Sequence, residues 1–344
     1  MAKAKRADEV LRIGEVEVRP GQRLTVNLPI ADLYTNTELT MPIRVMRGRR
    51  AGPTLFVSAA VHGDEINGVE IIRRLLRLKL LKRLRGTLIA VPVVHGFGLR
   101  SQSRCLPEGR DRKRRFRGSE RGARAARLAD LFMTEIVSHC THGIDLHTGS
   151  NHRTNLPQIR AWLDDPETAR LATVFGVPVV LGAELRDGSL REAVAERGLP
   201  VLLYEAGEAL RFDEMAIRFG VRGIVSVMRA IEMLPGKRTG RPPAPLLALE
   251  STWVRAPHSG LLRVRVPLGR RVKKDELLGA IAHPLGRHEV EVRAPKAGII
   301  IGQVMLPLVN EGEALFHIAL VDPDSAAPEA LELLAGEGEV DPGK

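Results

Sequence analysis

Aromatic residues are scarce in this chain: Phe, Tyr and Trp together make up 3% of 344 residues. A core built from it must be aliphatic, and platforms for stacking nucleobases are few. Cysteine is scarcer still. Cys105 and Cys140 are the two present, too few for a disulfide framework and without CxxC spacing, so a reducing cytoplasm is the expected compartment. No apolar run approaches the roughly 18 residues of a membrane span. The basic start, "MAKAKRADEVLRIGEV", has no apolar stretch behind it to act as a secretory signal. What remains is an ordinary globular balance of 44% hydrophobic and 27% charged residues, long enough for one large domain or two unequal ones.

The formal net charge is +11, unevenly spread. "RDRKRRFR" (110–117) sets six basic residues around Asp111, whereas the tail from 321 carries seven acids and one lysine. Without interleaved aromatics or a recognisable binding module, the basic run reads as solvated surface, and nucleic acid is not an expected partner.

Along the chain the hydrophobic period changes twice. The first 50 residues alternate apolar and polar, as in "GEVEVRP", "RLTVNLPI" and "LTMPIRVMRG", which predicts strands. "PTLFVSAAVHG" and "GTLIAVPVVHG" are near-continuous apolar runs, as strands buried on both faces require. Between them Val69, Ile72, Leu75, Leu76 and Leu80 recur at helical spacing. Helix-like and strand-like segments then alternate up to "PVLLYEAG", and a long helical pattern, "DEMAIRFGVRGIVSVMRAIEML", follows. This rhythm predicts an α/β domain with a mostly parallel sheet covered by helices. After a Pro- and Gly-rich stretch, "LPGKRTGRPPAPLLALE", the period becomes two, and "VRAPHSGLLRVRV" (254–266) recurs as "VRAPKAGIIIGQV" (292–304), 38 residues on. Two similar halves predict a small all-β sandwich or barrel.

Ligands of open parallel sheets collect beyond the carboxyl ends of the strands. Three predicted strand ends here carry unusual polar groups: "VHGDE" (His62, Asp64, Glu65), "IDLHTGS" (Asp145, His147) and "LLYEAGE" (Glu205, Glu208). His62, Glu65 and His147 form a His₂Glu set, which suits a catalytic zinc with one open position. Asp145, two residues before His147, can fix the tautomer of that imidazole. Glu205 is then the carboxylate left to act as general base toward a metal-activated water. Taken singly, each group reads equally well as hydrogen-bonded strand-end polarity, and Glu205 as a cap of the next turn. Their agreement points to a hydrolytic metal site.

Together "HGDEINGVE", "DLHTGS" followed by "RTNLPQIRA", "YEAGE" and the terminal β repeat resemble the succinylglutamate desuccinylase/aspartoacylase family of the zinc carboxypeptidase-like superfamily, over roughly residues 10 to 320. The resemblance implies a mixed, mostly parallel central sheet flanked by helices, with one zinc per chain on His62, Glu65 and His147. It implies that Glu205 is the catalytic glutamate and that the reaction hydrolyses the amide of an N-acyl amino acid, a small acid-bearing substrate. Arg104 matches an arginine that polarises the carbonyl or grips a carboxylate. Arg114 matches one that clamps the substrate carboxylate, a task suited to a planar guanidinium. The family commonly reads "SRYLPDGRDLNRSFPG" where this chain reads "SRCLPEGRDRKRRFRG" (103–118). Lys113 therefore replaces an asparagine and Arg112 a leucine, and His95-Gly96 stands where Asn-Pro is usual. Lys113 is expected to face the pocket and favour a more anionic substrate, whereas Arg112, Arg115 and Arg117 are expected to face solvent.

The expected organisation is a β segment over 1–45 packed on a hydrolase domain over 46–235, a linker over 236–250, a biotinyl/lipoyl-like β module over 251–320 and an acidic tail over 321–344. Lys296 in "RAPKAG" lacks the flanking methionines of a carrier lysine. The module is therefore read as a cap over the metal or as an assembly surface, the latter implying a homo-oligomer. His142 is expected at a helix end or on the surface, and His152, Arg153, Asn155 and Arg160 are candidates to line the pocket. Two readings compete with the deacylase. One is a metallocarboxypeptidase acting on short peptides, and the other a non-catalytic binding protein using the basic loop 110–117.

Overall fold

A computed structural model describes residues 10–32, 35–104, 124–185, 188–236, 244–286 and 288–321. The chain enters through an antiparallel ribbon of β1 (Leu11–Ile13) and β2 (Val16–Val18), then a long hairpin of β3 (Arg23–Asp32) and β4 (Glu38–Arg47). The α/β part follows with β5 (Arg50–Ala59), α1 (Asn67–Leu76), β6 (Arg85–Val91), α2 (Gly96–Arg100), α3 (Arg124–Glu135) and β7 (His142–His147). It continues with β8 (Arg153–Ala161), α4 (Pro166–Phe175), β9 (Val179–Gly182), α5 (Leu190–Ala195), β10 (Val201–Gly207) and α6 (Glu214–Ala230).

Strands β6, β5, β7 and β10 are adjacent and parallel. Antiparallel β4 and β3 extend this centre on one side, and antiparallel β8 on the other. The sheet is thus mixed, with a parallel heart. Alternation along β5 explains its two-sided burial. Leu55, Val57 and Ala59 join a core with Ile72 and Leu75 of α1, Phe175 of α4 and Ile224 and Met228 of α6. Phe56 points the other way, into a core with Phe132 of α3, Val194 of α5, and Ile43 and Ile89.

Local signals set the helix ends. Asp165 caps α4 by accepting from the Thr168 amide at 2.8 Å, Pro166 occupies the first turn, and Gly176 (φ 86°) ends the helix. Asp213 caps α6 in the same way. Helix α1 is shorter than its apolar spacing predicts. It stops at Leu76, and Leu80 belongs to a separate 3₁₀ turn, Lys79–Arg83.

The C-terminal strands are β11 (Leu246–Ala248), β12 (Glu250–Arg255), β13 (Gly260–Val264), β14 (Arg271–Val272), β15 (Leu277–Ala282), β16 (Glu289–Arg293), β17 (Gly298–Val304), β18 (Leu308–Val309) and β19 (Ala314–Leu320). Residues 246–248, within the stretch expected as a linker, pair in parallel with β9. The sequence repeat is a packing repeat: Val254 and Val292, Ala256 and Ala294, Leu262 and Ile300, Val266 and Val304 are all buried in one apolar cluster. Strands β16, β15, β13 and β18 form an antiparallel sheet, while β17 pairs with β8 through Gly302–Asn155 and Val304–Arg153. The β repeat is therefore joined by main-chain hydrogen bonds to the sheet that carries the site. Among the described residues no helix is long and apolar enough to cross a membrane.

Candidate active site

Strand β5 ends at Ala59, and the turn 60–66 leads into α1. Ala60 takes a left-handed conformation (φ 49°), unusual for a residue with a Cβ, and it is pinned by the His95 amide donating to its carbonyl at 2.9 Å. Gly63 lies against α2 so closely that a Cβ would sit 1.9 Å from the Gly98 carbonyl carbon. Only glycine fits there, and the contact brings His62 and Glu65, both buried, to the top of the sheet. The substituted "HGFG" segment therefore shapes this turn, with the His95 ring packed on Gly98.

Strand β7 delivers Asp145 and His147 on one face, since they are two residues apart. In β5, Ser58 stands opposite Asp145, and in β10, Glu205 stands opposite His147. A chain of short hydrogen bonds results. Ser58 Oγ donates to Asp145 Oδ1 at 2.7 Å, and Asp145 Oδ2 lies 2.7 Å from His147 Nε2. His147 Nδ1 lies 2.7 Å from Glu65 Oε2, which also accepts from the Thr148 amide at 3.3 Å. Burial would hold the His147 imidazolium below its ordinary pKa, but the Asp145 and Glu65 carboxylates outweigh it and raise the value to about 10.

One donor atom from each of His62, Glu65 and His147 lies within 4.8 Å of the others, and all three residues are buried. Two imidazoles and a carboxylate are borderline donors of the kind zinc takes. Asp64, Glu65 and Asp145 concentrate buried carboxylates around them, so the residues present fit a divalent cation. The structure brings the three expected ligands together, with Asp145 behind His147.

Glu205 Oε2 accepts from Asn155 Nδ2 at 2.5 Å, and its Oε1 lies 3.4 Å from Arg160 Nε. A register shift between Glu205 and Gly207 lets Asn155 reach the carboxylate. Asn155 and Arg160 thus meet Glu205, a partnership that spacing alone did not assign, and Ser58 was not anticipated at all. Arg104 reaches the cluster too, its Nη1 2.6 Å from Glu65 Oε1. Arg114 and Lys113, with the rest of the basic loop, lie outside the described residues. His142 opens strand β7, largely buried and 3.6 Å from Glu167, rather than ending a helix or lying on the surface.

A cavity of about 340 Å³ adjoins the cluster, within the usual range for small-molecule sites. Asp64, Arg104, His152 and Arg153 line it together with Leu306 and Glu313 of the β repeat. The Arg153 guanidinium stacks over Trp253 at 5.5 Å, and Trp253 lies flat on His317 with ring centroids 4.2 Å apart.

Known proteins resemble the chain in both sequence and fold. Residues 51–231 match the succinylglutamate desuccinylase/aspartoacylase catalytic domain. The N-alpha-acetyl-L-2,4-diaminobutyric acid deacetylase of Halomonas elongata is 26% identical over 295 residues, covering 82% of this chain and 86% of that protein. A succinylglutamate desuccinylase/aspartoacylase from Rhodobacter sphaeroides superposes with a TM-score of 0.77 at 26% identity, over 89% of this chain and 97% of its own. The product-bound ectoine utilization protein EutE (DoeB) from Ruegeria pomeroyi has the same fold, with a TM-score of 0.78 at 24% identity over 88% of this chain and 96% of that one. The catalytic-domain match spans more than half of the residues, and on that ground the chain belongs to the succinylglutamate desuccinylase/aspartoacylase family.

Proposed function

We propose that the protein is a zinc-dependent hydrolase that cleaves the amide bond of an N-acyl amino acid, releasing a carboxylic acid and a free amine. The observation that carries the reading is the convergence of His62, Glu65 and His147 at one point, with Glu205 beside His147 on the neighbouring strand. These three side chains would hold the metal, one ion per chain. When bound, zinc supplies Lewis-acid polarisation of the amide carbonyl and makes the attacking water more acidic.

The chain's own groups do the rest. Asp145, itself held by Ser58, would accept the Nε2 proton of His147 and leave Nδ1 as the nitrogen available to hold a metal. Asn155 holds Glu205 Oε2 and so orients the carboxylate. Glu205 takes a proton from the attacking water and returns it to the departing nitrogen, so that the amine leaves neutral. Arg104 reaches the cluster through Glu65, placed to polarise the carbonyl or pair with a substrate carboxylate. Arg114 and Lys113 are its partners in substrate binding. The β repeat over 251–320 acts as a cap, since Leu306 and Glu313 narrow the cavity beside the cluster. The compartment in this reading is the cytoplasm.

The test is a panel of N-acetyl, N-succinyl and N-formyl amino acids, including diamino acids, run beside acidic dipeptides. The reading expects turnover of N-acyl amino acids that a chelator abolishes and zinc restores. Activity confined to peptides would favour a carboxypeptidase, and turnover indifferent to chelation would remove the metal from the account.

A further inference from the structure

One rung of residues joins the β repeat to the strand that borders the site. Trp253 on β12 stands opposite His317 on β19, His317 opposite Gly302 on β17, and Gly302 opposite Asn155 on β8. Gly302 keeps the middle of the rung open. A Cβ there would stand 3.0 Å from Asn155 Oδ1 and 3.1 Å from the His317 Cβ. The rings at the far end brace each other. The Trp253 indole lies within 4° of parallel to the buried His317 imidazole, whose Nε2 is 2.8 Å from Ser251 Oγ.

Arg153, two residues from Asn155 on β8, reaches this stack and also lines the cavity beside the His62 cluster. Its guanidinium carbon lies 5.5 Å from the centre of the Trp253 ring. A guanidinium is planar, so contact with a ring engages its face, while its N–H donors point outward in the plane. Donors in that arrangement match the two oxygens of a carboxylate. A free arginine loses much rotamer freedom when it grips a ligand, and a stack that orders the side chain beforehand removes part of that cost. Arg104, the other arginine lining the cavity among the described residues, is engaged by Glu65. Glu313, on the same cavity, accepts from the Asn310 amide at 3.1 Å.

We propose that Arg153 grips a carboxylate of the substrate, and that Trp253, seated on His317, is the positioning residue that holds it ready. The β repeat then takes part in recognition as well as capping the cavity. That the carboxylate belongs to an N-acyl amino acid rests on the hydrolase reading. Such a molecule has two places for it, on the amino acid or on the acyl group.

Three ligands separate the two: N-acetyl-L-alanine is charged on the amino acid, N-succinyl-L-alaninamide on the acyl group, and N-acetyl-L-alaninamide on neither. They are titrated calorimetrically into full-length Glu205→Gln incubated with zinc, a background that spares the amide. The same titrations are run with Arg153→Gln, Trp253→Ala, Trp253→Phe or Lys273→Gln added, the last an exposed residue of the β repeat serving as control. One acid should bind at least about tenfold more tightly than the neutral amide, and Arg153→Gln should weaken that acid by at least about tenfold. Trp253→Ala should weaken it about three- to tenfold, whereas Trp253→Phe, which keeps a ring, should cost less than about threefold. Lys273→Gln should change it less than about twofold. Should Arg153→Gln or Trp253→Ala lower the ligand-free Tm, fluorescence reads the contact without them. With Trp162→Phe added to the background, Trp253 is the one indole left, and its emission should respond to the bound acid but not to the neutral amide. The proposal is overturned if neither acid binds better than the neutral amide, if Arg153→Gln binds like its parent, or if Trp253 emission ignores the acid. Wild-type turnover assayed in parallel keeps the two readings apart. Arg153-dependent binding in a protein that hydrolyses no amide sinks the hydrolase alone, and hydrolysis with binding indifferent to Arg153→Gln sinks the grip alone.

Discussion

Asp145→Asn tests the relay that orients His147. In the structure Asp145 Oδ2 lies 2.7 Å from His147 Nε2, and Oδ1 accepts from Ser58 Oγ at 2.7 Å. The amide keeps the shape of the side chain but removes its charge, so the bond to the imidazole becomes an ordinary one. A hydrogen bond to a charged group contributes about 1.5–3 kcal/mol, equivalent to about 10- to 150-fold in a binding constant. Partners behind metal-bound histidines typically change affinity by about 10- to 100-fold when replaced, and the two figures agree. The zinc dissociation constant of Asp145→Asn, titrated against a fluorescent chelator, should therefore rise by that factor. Ser58→Ala removes a neutral donor one step further away and should cost less, about 1 kcal/mol, or roughly fivefold. Ser58 acts through Asp145, so adding Ser58→Ala to Asp145→Asn should change affinity less than about twofold. The relay is refuted if Asp145→Asn folds normally and holds zinc as tightly as the wild type, or if Ser58→Ala proves the more damaging of the two.

Three further outcomes follow from other parts of the structure. Glu205→Gln removes the proton carrier while keeping the Asn155 contact, and should lower kcat by about 10²- to 10⁴-fold with zinc content unchanged, read by steady-state kinetics beside metal analysis. Gly63→Ala drives a Cβ into the Gly98 main chain, an overpacking that costs about 1–3 kcal/mol or more; a lowered Tm together with weaker zinc binding is the expected pair of readouts. Glu70 is held down to about 2 by its hydrogen bond to Arg73 and by Arg74, against burial, which raises it. Because that folded value lies below the ordinary 4.5, the stabilisation is present above about pH 4.5 and is lost as pH falls toward 2. Glu70→Gln should flatten the acid limb of Tm against pH in that window.

Much of the site was legible because parallel sheets concentrate function where their strands end. Leu55, Val57 and Ala59 alternate with Phe56 and Ser58 in a run apolar enough to mark a two-sided strand, and the polar residues that break such runs, His62, Asp145, His147 and Glu205, fall at the same edge. The supporting groups were hidden for physical reasons. Ser58 is a small hydroxyl within an apolar strand, and its value comes from standing opposite Asp145 on β7. Asn155 acts on Glu205 only because the β8–β10 register shifts beside it. Strand β8 itself contains Pro157 and several polar residues, so it does not read as a central strand until β10 and β17 flank it. The strand at Leu246–Ala248 likewise depends on a distant partner, β9. Arg104 could be singled out from its motif, but its contact with Glu65 depends on the fold of the turns around α2.

Metal analysis of the purified wild type beside His147→Ala tests the central claim most directly. The account predicts one equivalent of zinc per wild-type chain after loading and dialysis, with the variant folded and essentially empty. A wild type that keeps no zinc, or a His147→Ala protein that keeps as much, would contradict it.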